Sequence, residues 1–123
     1  MDTINLIITV FGWISTILTI GVYIPQLIKT IKSKDTSGVS LIMYIILQIT
    51  AWTWVIYGAL IVYQAMISNG DILDGLPILI TNAVVAFIGL GIIYIKAKNI
   101  MGAKAANISE KDYIARITKS KIN

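Results

Sequence analysis

Three long stretches of this chain carry no Asp, Glu, Lys, Arg or His: residues 3–28, 36–70 and 75–95. A helix needs about 20 apolar residues to cross the hydrocarbon of a bilayer. Each stretch is long enough, so the pattern predicts an all-α membrane protein with three transmembrane helices. The first is expected over 4–31, the second over 39–62 and the third over 77–95. Between the first two lies SKDTSG, residues 33–38. Its short side chains can bond their own backbone, and it ends in glycine, so it reads as a turn. Residues 63–77 are more polar and contain Gly70 and Gly75. They read as a helical extension followed by an outer loop. Pro77 falls in the first turn of the third helix, where a missing N–H does no harm. From Lys96 the chain is polar with scattered isoleucines. Ser109 and Asp112 form a capping pair for a short helix over 110–118. The organisation expected is a membrane domain over 1–95 and a basic tail over 96–123, with no internal repeat.

Composition agrees with the pattern. The chain is 57% hydrophobic and 13% charged, against about 25% charged for soluble proteins. Its charge is distributed unevenly. Lys29, Lys32 and Lys34 lie in the first connection, and the other basic residues all follow Ile95. With three spans, the first connection and the tail share one side. Basic residues favour the cytoplasmic side. This places the N-terminus outside, the Lys29–Lys34 loop inside, Asp71 and Asp74 outside and the tail in the cytoplasm, in a multi-pass protein of the cell (inner) membrane. The lysines are expected to form a solvated face beside membrane lipid. Nucleic acid is not an expected partner, because no aromatic residues interleave with the basic ones in the first loop. The first span is too long for a signal h-region and is preceded by Asp2 rather than lysines. The chain has no cysteine and no histidine, which removes disulfides, thiol chemistry and His- or Cys-ligated metals. No cofactor is expected.

Nothing inside the spans ionises near neutral pH. That leaves no proton relay, counter-ion or voltage sensor, and no nucleophile–base pair for an enzyme. The candidates for chemistry are neutral and polar: Gln26, Gln48, Thr50, Trp52, Thr53, Trp54, Tyr57, Thr81 and Asn82. The Asn82 amide has two readings. It is an interhelical hydrogen bond, worth about 0.6 kcal/mol, or it is aimed at a polar neutral ligand. Trp52 and Trp54 point about 200° apart on a helix, so both cannot face one pocket, and Trp52 suits an interface anchor. An indole face beside an amide makes a platform for a sugar: the ring stacks on C–H groups and the amide bonds hydroxyls. Pro25 removes a backbone bond close to the basic end of the first helix. It is a passive kink, satisfied by neighbours, or a hinge. Gln26 is placed to bond the freed carbonyls or a neighbouring helix. Three helices are too few to enclose a solvated path, so a central pocket needs a second copy, most simply a two-fold dimer.

The segment YIPQLIKTIKSKDTSGVSLIMYI, then WVIYG at 54–58 and PILITNAV at 77–84, resemble the blocks of the PQ-loop proteins, and specifically the bacterial SemiSWEET sugar transporters. Pro-Gln alone is a weak signal. Pro-Gln, the lysine-rich loop, DTSG, WVIYG and PxxxxN in that order are strong, and they cover about 11–95. The resemblance implies a three-helix bundle packed in the order 1-3-2, assembled as a parallel homodimer around a central pathway. It implies that Trp54 and Asn82 bind the sugar, that Tyr57 belongs to the outer gate, and that Pro25 and Gln26 form the hinge of the cytoplasmic gate. The function implied is facilitative transport of a small neutral sugar, a mono- or disaccharide, by alternating access. The alternatives are a carrier of another small neutral solute and a non-transporting membrane scaffold. One departure stands out. The family has an aspartate two residues before the proline, where this chain has Gly75, and the connection here is longer by about a dozen residues. Asp74 or Asp71 is the candidate replacement.

Overall fold

The structure is a computed structural model that describes residues 2–122. It consists of helices α1 (Thr3–Ser33), α2 (Leu41–Ile67), α3 (Leu76–Ala105) and α4 (Glu110–Ile122), with one 3-10 turn at Ile72–Asp74 before α3. The first three are long and apolar enough to cross a membrane. α1 runs through Pro25 and stops at Lys34, which adopts the left-handed conformation (φ 56°) and donates its N–H to Thr30 O at 2.8 Å. The SKDTSG turn is held by Asp35, whose Oδ1 accepts from Ser37 N at 3.1 Å and Ser37 Oγ at 2.6 Å. These bonds hold the carboxyl below its ordinary value of 3.8. Their support is therefore present above that value and is lost as pH falls below it. α2 begins at Leu41, two residues later than expected, because Ser40 caps it, accepting from Met43 N at 3.3 Å. It extends to Ile67, as the polar stretch after residue 62 suggested.

α3 packs against both α1 and α2, and α4 folds back on α3. The burial pattern is that of a chain whose solvent is lipid. α1 buries Thr16 and Thr30, while its Ile7, Phe11, Ile17 and Val22 are exposed. α2 buries Gln48, Ala51 and Gly58. Apolar side chains gain nothing by leaving hydrocarbon, so close packing and polar contacts hold the helices together. Two glycines make this contact possible. A Cβ on Gly58 would lie 2.9 Å from the backbone N of Leu79 in α3. Gly89 of α3 leaves the space that the Gln48 amide fills. That amide also accepts from Trp52 Nε1 at 3.1 Å, and Trp52 meets Phe87 of α3 edge-on.

Two expectations about the end of the chain are corrected. The third helix does not stop at Ile95 but continues to Ala105, so the boundary drawn at 95 falls inside α3. Charge ends a hydrocarbon span, but it does not end a helix: Lys and Ala are both strong helix formers. The lysines are also not uniformly solvated. Lys96 is 6% exposed. Its Nζ donates to Glu110 Oε2 at 2.6 Å, Glu110 Oε1 at 2.8 Å and Thr36 O at 2.8 Å. Thr36, fully buried, donates from Oγ1 to Glu110 Oε1 at 2.7 Å. Asn99 Nδ2 donates to Thr36 Oγ1 at 2.9 Å and to Lys34 O at 2.8 Å. One cluster thus ties the α1–α2 turn to α3 and to the first residue of α4. A buried charge is tolerated only when paired and hydrogen-bonded. Among the described residues, no buried side-chain nitrogen or oxygen lacks a partner. α4 is capped as expected, with Ser109 Oγ accepting from Asp112 N at 3.1 Å, and runs past residue 118 to Ile122.

The glycine contact predicts that Gly58→Ala forces α2 off α3 and destabilises the fold by about 1–3 kcal/mol. Gly21→Ala, where a Cβ would meet nothing within 4 Å, is its neutral control. Both are read by unfolding in mixed micelles. The cluster predicts an inequality. Glu110→Leu alone strands Lys96 and costs about 3–5 kcal/mol, at the low end because Glu110 keeps 20% side-chain exposure. The double variant Lys96→Met/Glu110→Leu costs less than that single change in the same assay.

Candidate functional site

α2 and α3 are antiparallel. Gly58 meets Ile78 and Leu79, Trp52 meets Phe87, and Gln48 meets Gly89. Trp54 lies four residues before Gly58, and Asn82 four residues after Ile78. In antiparallel helices both steps lead the same way, about 6 Å toward the basic end. Trp54 and Asn82 therefore sit at one depth, a turn below the closest approach of their helices. Trp54 lies off the buried stripe of α2 and is 47% exposed. Its ring meets Tyr57 edge-on, with centroids 5.5 Å apart and planes at 87°. Tyr57 is 51% exposed, so the two aromatics form one surface on an uncovered face of α2. Trp52 points into α3 instead, as the helical angle between the two indoles required.

Asn82 is half-buried, and its Nδ2 donates to Ile78 O at 2.9 Å within its own helix. It bonds no neighbouring helix through that group, so its amide oxygen is the part left to present. It lines a shallow groove of about 190 Å³ with Gly12 and Ser15 of α1 and Ile78 and Thr81 of α3. Trp54 is not among the residues lining that groove. The structure thus brings the pair to one level but not into one enclosed pocket of a single chain.

Beside the groove, Thr16 Oγ1 and Thr81 Oγ1 are 2.6 Å apart, and Thr16 Oγ1 also reaches Pro77 O at 3.3 Å. Thr16 and Gly12 were not singled out in the sequence. Their spacing of four was the available signal, since small residues at that interval let helices approach. A Cβ on Gly12 would lie 3.2 Å from the Pro77 ring. At the other end, Pro25 and Gln26 are exposed. Gln26 lines a recess with Thr30, Ser33, Asp35 and Gly38, which sets it against the α1–α2 turn. Its backbone carbonyl accepts from Thr30 Oγ1 at 2.9 Å.

The outer aspartates take other partners than Tyr57. Asp71 Oδ1 accepts from Leu73 N at 2.9 Å and so caps the 3-10 turn. Asp74 Oδ1 accepts from Thr9 Oγ1 of α1 at 3.2 Å. Gly75 is buried, and a Cβ there would lie 2.8 Å from Ile61 Cγ2 and 2.9 Å from Val62 Cγ2. The lengthened α2 occupies the space that an aspartate two residues before Pro77 would need.

A model of the PQ loop repeat family matches residues 7–64. An uncharacterised protein of Ureaplasma parvum serovar 3 is 31% identical over 117 residues, covering 91% of this chain and 85% of that protein. The sugar transporter SemiSWEET of Escherichia coli is 38% identical over 58 residues, 47% of this chain and 61% of the relative. The sugar transporter SemiSWEET of Bradyrhizobium diazoefficiens is 28% identical over 92 residues, 75% of this chain and 93% of the relative. The chain thus spans less than two thirds of the E. coli relative, and the same holds for an archaeal relative from Methanocaldococcus jannaschii. No solved structure matches. The chain is a membrane protein built on three membrane-spanning helices, and it belongs to the PQ-loop family, in which its named relatives are SemiSWEET transporters.

The crowding at Gly75 predicts the outcome of restoring the missing acid. Gly75→Asp should destabilise the fold by about 1–3 kcal/mol through overpacking alone. It should not create a contact with Tyr57. Thermal unfolding and the tyrosine hydroxyl's accessibility to nitration are the measurements.

Proposed function

We propose that this protein is a facilitative carrier for a small neutral sugar, working as a parallel homodimer by alternating access. The observation that carries the reading is the placement of Trp54 and Asn82 at one depth on adjacent helices, within stretches free of Asp, Glu, Lys, Arg and His, in a chain related to named sugar transporters. An indole face and an amide are the groups a sugar needs: one for its C–H face, one for its hydroxyls. The groove beside Asn82, about 190 Å³, is below the 300 Å³ or so at which ligand pockets begin. A second copy facing the Trp54–Tyr57 surface supplies the missing wall, so each protomer contributes the pair to one shared site. α3 touching both α1 and α2 supports the packing order 1-3-2. The basic end, with the SKDTSG turn and the tail, is cytoplasmic on the positive-inside rule, in the cell membrane. Pro25 and Gln26 serve the inner gate as a hinge, beside the α1–α2 turn. Tyr57, edge-on to Trp54, closes the outer side. Asp74 helps through Thr9, by joining the loop to α1. No step calls for bond making, so the protein is a transporter rather than an enzyme.

The test is counterflow in proteoliposomes against a panel of mono- and disaccharides, with neutral amino acids and vitamins as the competing class. Trp54→Ala and Asn82→Ala should each lower sugar uptake by about 5- to 150-fold, the equivalent of 1–3 kcal/mol for an unpaired polar or stacking group, with the dimer intact by cross-linking. Trp52→Phe should change uptake little. Retained sugar binding in the double alanine variant rejects the pocket. The end point is a second check. With no group in the charge-free stretches that ionises near neutral pH and a neutral substrate, no net charge moves. Uptake should stop at equal concentrations whether or not a pH step or a potassium diffusion potential is imposed, and accumulation above the outside level rejects the uniport reading.

A further inference from the structure

A second recess lies at the opposite end of α3 from the candidate sugar site, between the end of α1, α3 and α4. Its volume is about 240 Å³. Lys34, Lys98, Tyr94 and Tyr113 give it its polar character, Ile95 and Ile117 its apolar floor, and no carboxylate of the described residues lines it. Both lysines stand outside the ion pair at Lys96–Glu110, the salt bridge found among the described residues. The charge pattern of α3 sets the recess where hydrocarbon gives way to the polar surface of the bilayer. Tyr94 and Ile95 end the charge-free stretch of α3, and Lys96 and Lys98 open the charged part.

The walls are held in place. Lys34 adopts a left-handed conformation that lysine rarely takes. Both of its backbone polar groups are pinned: its N–H bonds Thr30 O at 2.8 Å, and its carbonyl accepts from Asn99 Nδ2 at 2.8 Å. Asn99 is in turn fixed by Thr36 in the buried cluster. Tyr113 packs over Gly102 of α3, where no side chain but hydrogen leaves it room. Lys98 Nζ lies 6.0 Å from the centroid of the Tyr94 ring. Two ammonium groups and phenol hydroxyls around an apolar floor make a site for an anion that carries an apolar part. A phosphate is the anion of that kind found at a membrane surface, and basic recesses between membrane helices on the basic side suit lipid headgroups. The recess is too small for a larger ligand.

We propose that this recess binds a phosphate group, supplied by the headgroup of an anionic phospholipid whose chains lie along the exposed Tyr94. The lipid would hold α4 and the end of α1 to α3 from the membrane side, while the Lys96–Glu110–Thr36 cluster holds them from within. The site does not depend on the transport reading, and its test reads binding rather than uptake.

The full chain is reconstituted in phosphatidylcholine vesicles with or without phosphatidylglycerol, extracted in mild detergent, and assayed for retained lipid and for Tm. Wild type should retain phosphatidylglycerol in preference to phosphatidylcholine and melt higher with it. Lys34→Gln and Lys98→Gln should each weaken retention about five-fold, and Lys98→Arg should restore it. Lys104→Gln and Lys119→Gln, exposed and outside the recess, should leave it unchanged. Equal losses in all four glutamine variants would show a diffuse attraction of the basic side and overturn the site. So would the absence of any preference for the anionic lipid. A third arm adds glycerol 3-phosphate to protein in phosphatidylcholine alone. Protection equal to that by phosphatidylglycerol would keep a phosphate site but overturn its lipid source.

Discussion

Hydrocarbon offers no hydrogen bond, and the rest of this structure follows from that. Every backbone group in a span must find its partner within its own helix, which is why the chain is helical throughout its apolar length. The same constraint sorts the side chains. Most isoleucines and leucines of α1 and α2 face outward at no cost; α3 buries Ile88, Ile92 and Ile95, and the polar groups that turn inward with them include Thr16, Thr30, Gln48 and Asn99. Several threonines inside the spans return their hydroxyls to the carbonyl four residues back, as Thr50 does to Ile46 and Thr53 to Ile49. Thr16 does so too and still reaches Thr81 across the interface. Polar side chains thus help to join the helices of this protein, beside the isoleucines and small residues that α3 buries.

The two ends of the bundle solve different problems with that chemistry. At the acidic end the contacts are light: a single Thr9–Asp74 bond between exposed residues, and small residues where α1 meets Pro77. At the basic end a buried ion pair and two buried amide and hydroxyl side chains converge on the α1–α2 turn. Breaking one partner of such a cluster exposes an uncompensated charge, so it is an all-or-none fastening. It also gives the tail a role. Glu110, the first residue of α4, neutralises the only lysine of α3 that turns inward among the described residues. The polar tail is therefore part of the packed structure and not an appendage to it.

The candidate sugar site lies between these ends, and within one chain its groups are only partly covered. Trp54 and Tyr57 pair with each other and otherwise look outward, and Asn82 spends its amide N–H on its own helix. Such groups cost little to leave in this state only if a partner or a substrate meets them. That economy links the exposed aromatic face to a second protomer under the reading advanced above. It also separates Trp54 from Trp52, whose indole is already committed to Gln48 and Phe87.

Charge and hydropathy along the chain were enough for the spans, their number and the common side of the lysines, because each depends on the transfer of a whole segment into lipid. Motif order was enough for the family. The ends of the helices were less legible: the third outran Ile95 because helix propensity continues where hydrophobicity stops. The fate of Lys96 was not legible at all. In one dimension it is one basic residue among ten, and only the return of α4 and the turn at Thr36 supply the carboxylate and carbonyl that let it be buried. The same is true of Gly75. Its sequence position marks a missing aspartate, but only the tertiary structure brings Ile61 and Val62 against it and leaves no room for one. Transfer into lipid is a property of a segment and can be summed along the chain. Pairing and exclusion are properties of two segments, and they exist only once the fold has brought those segments together.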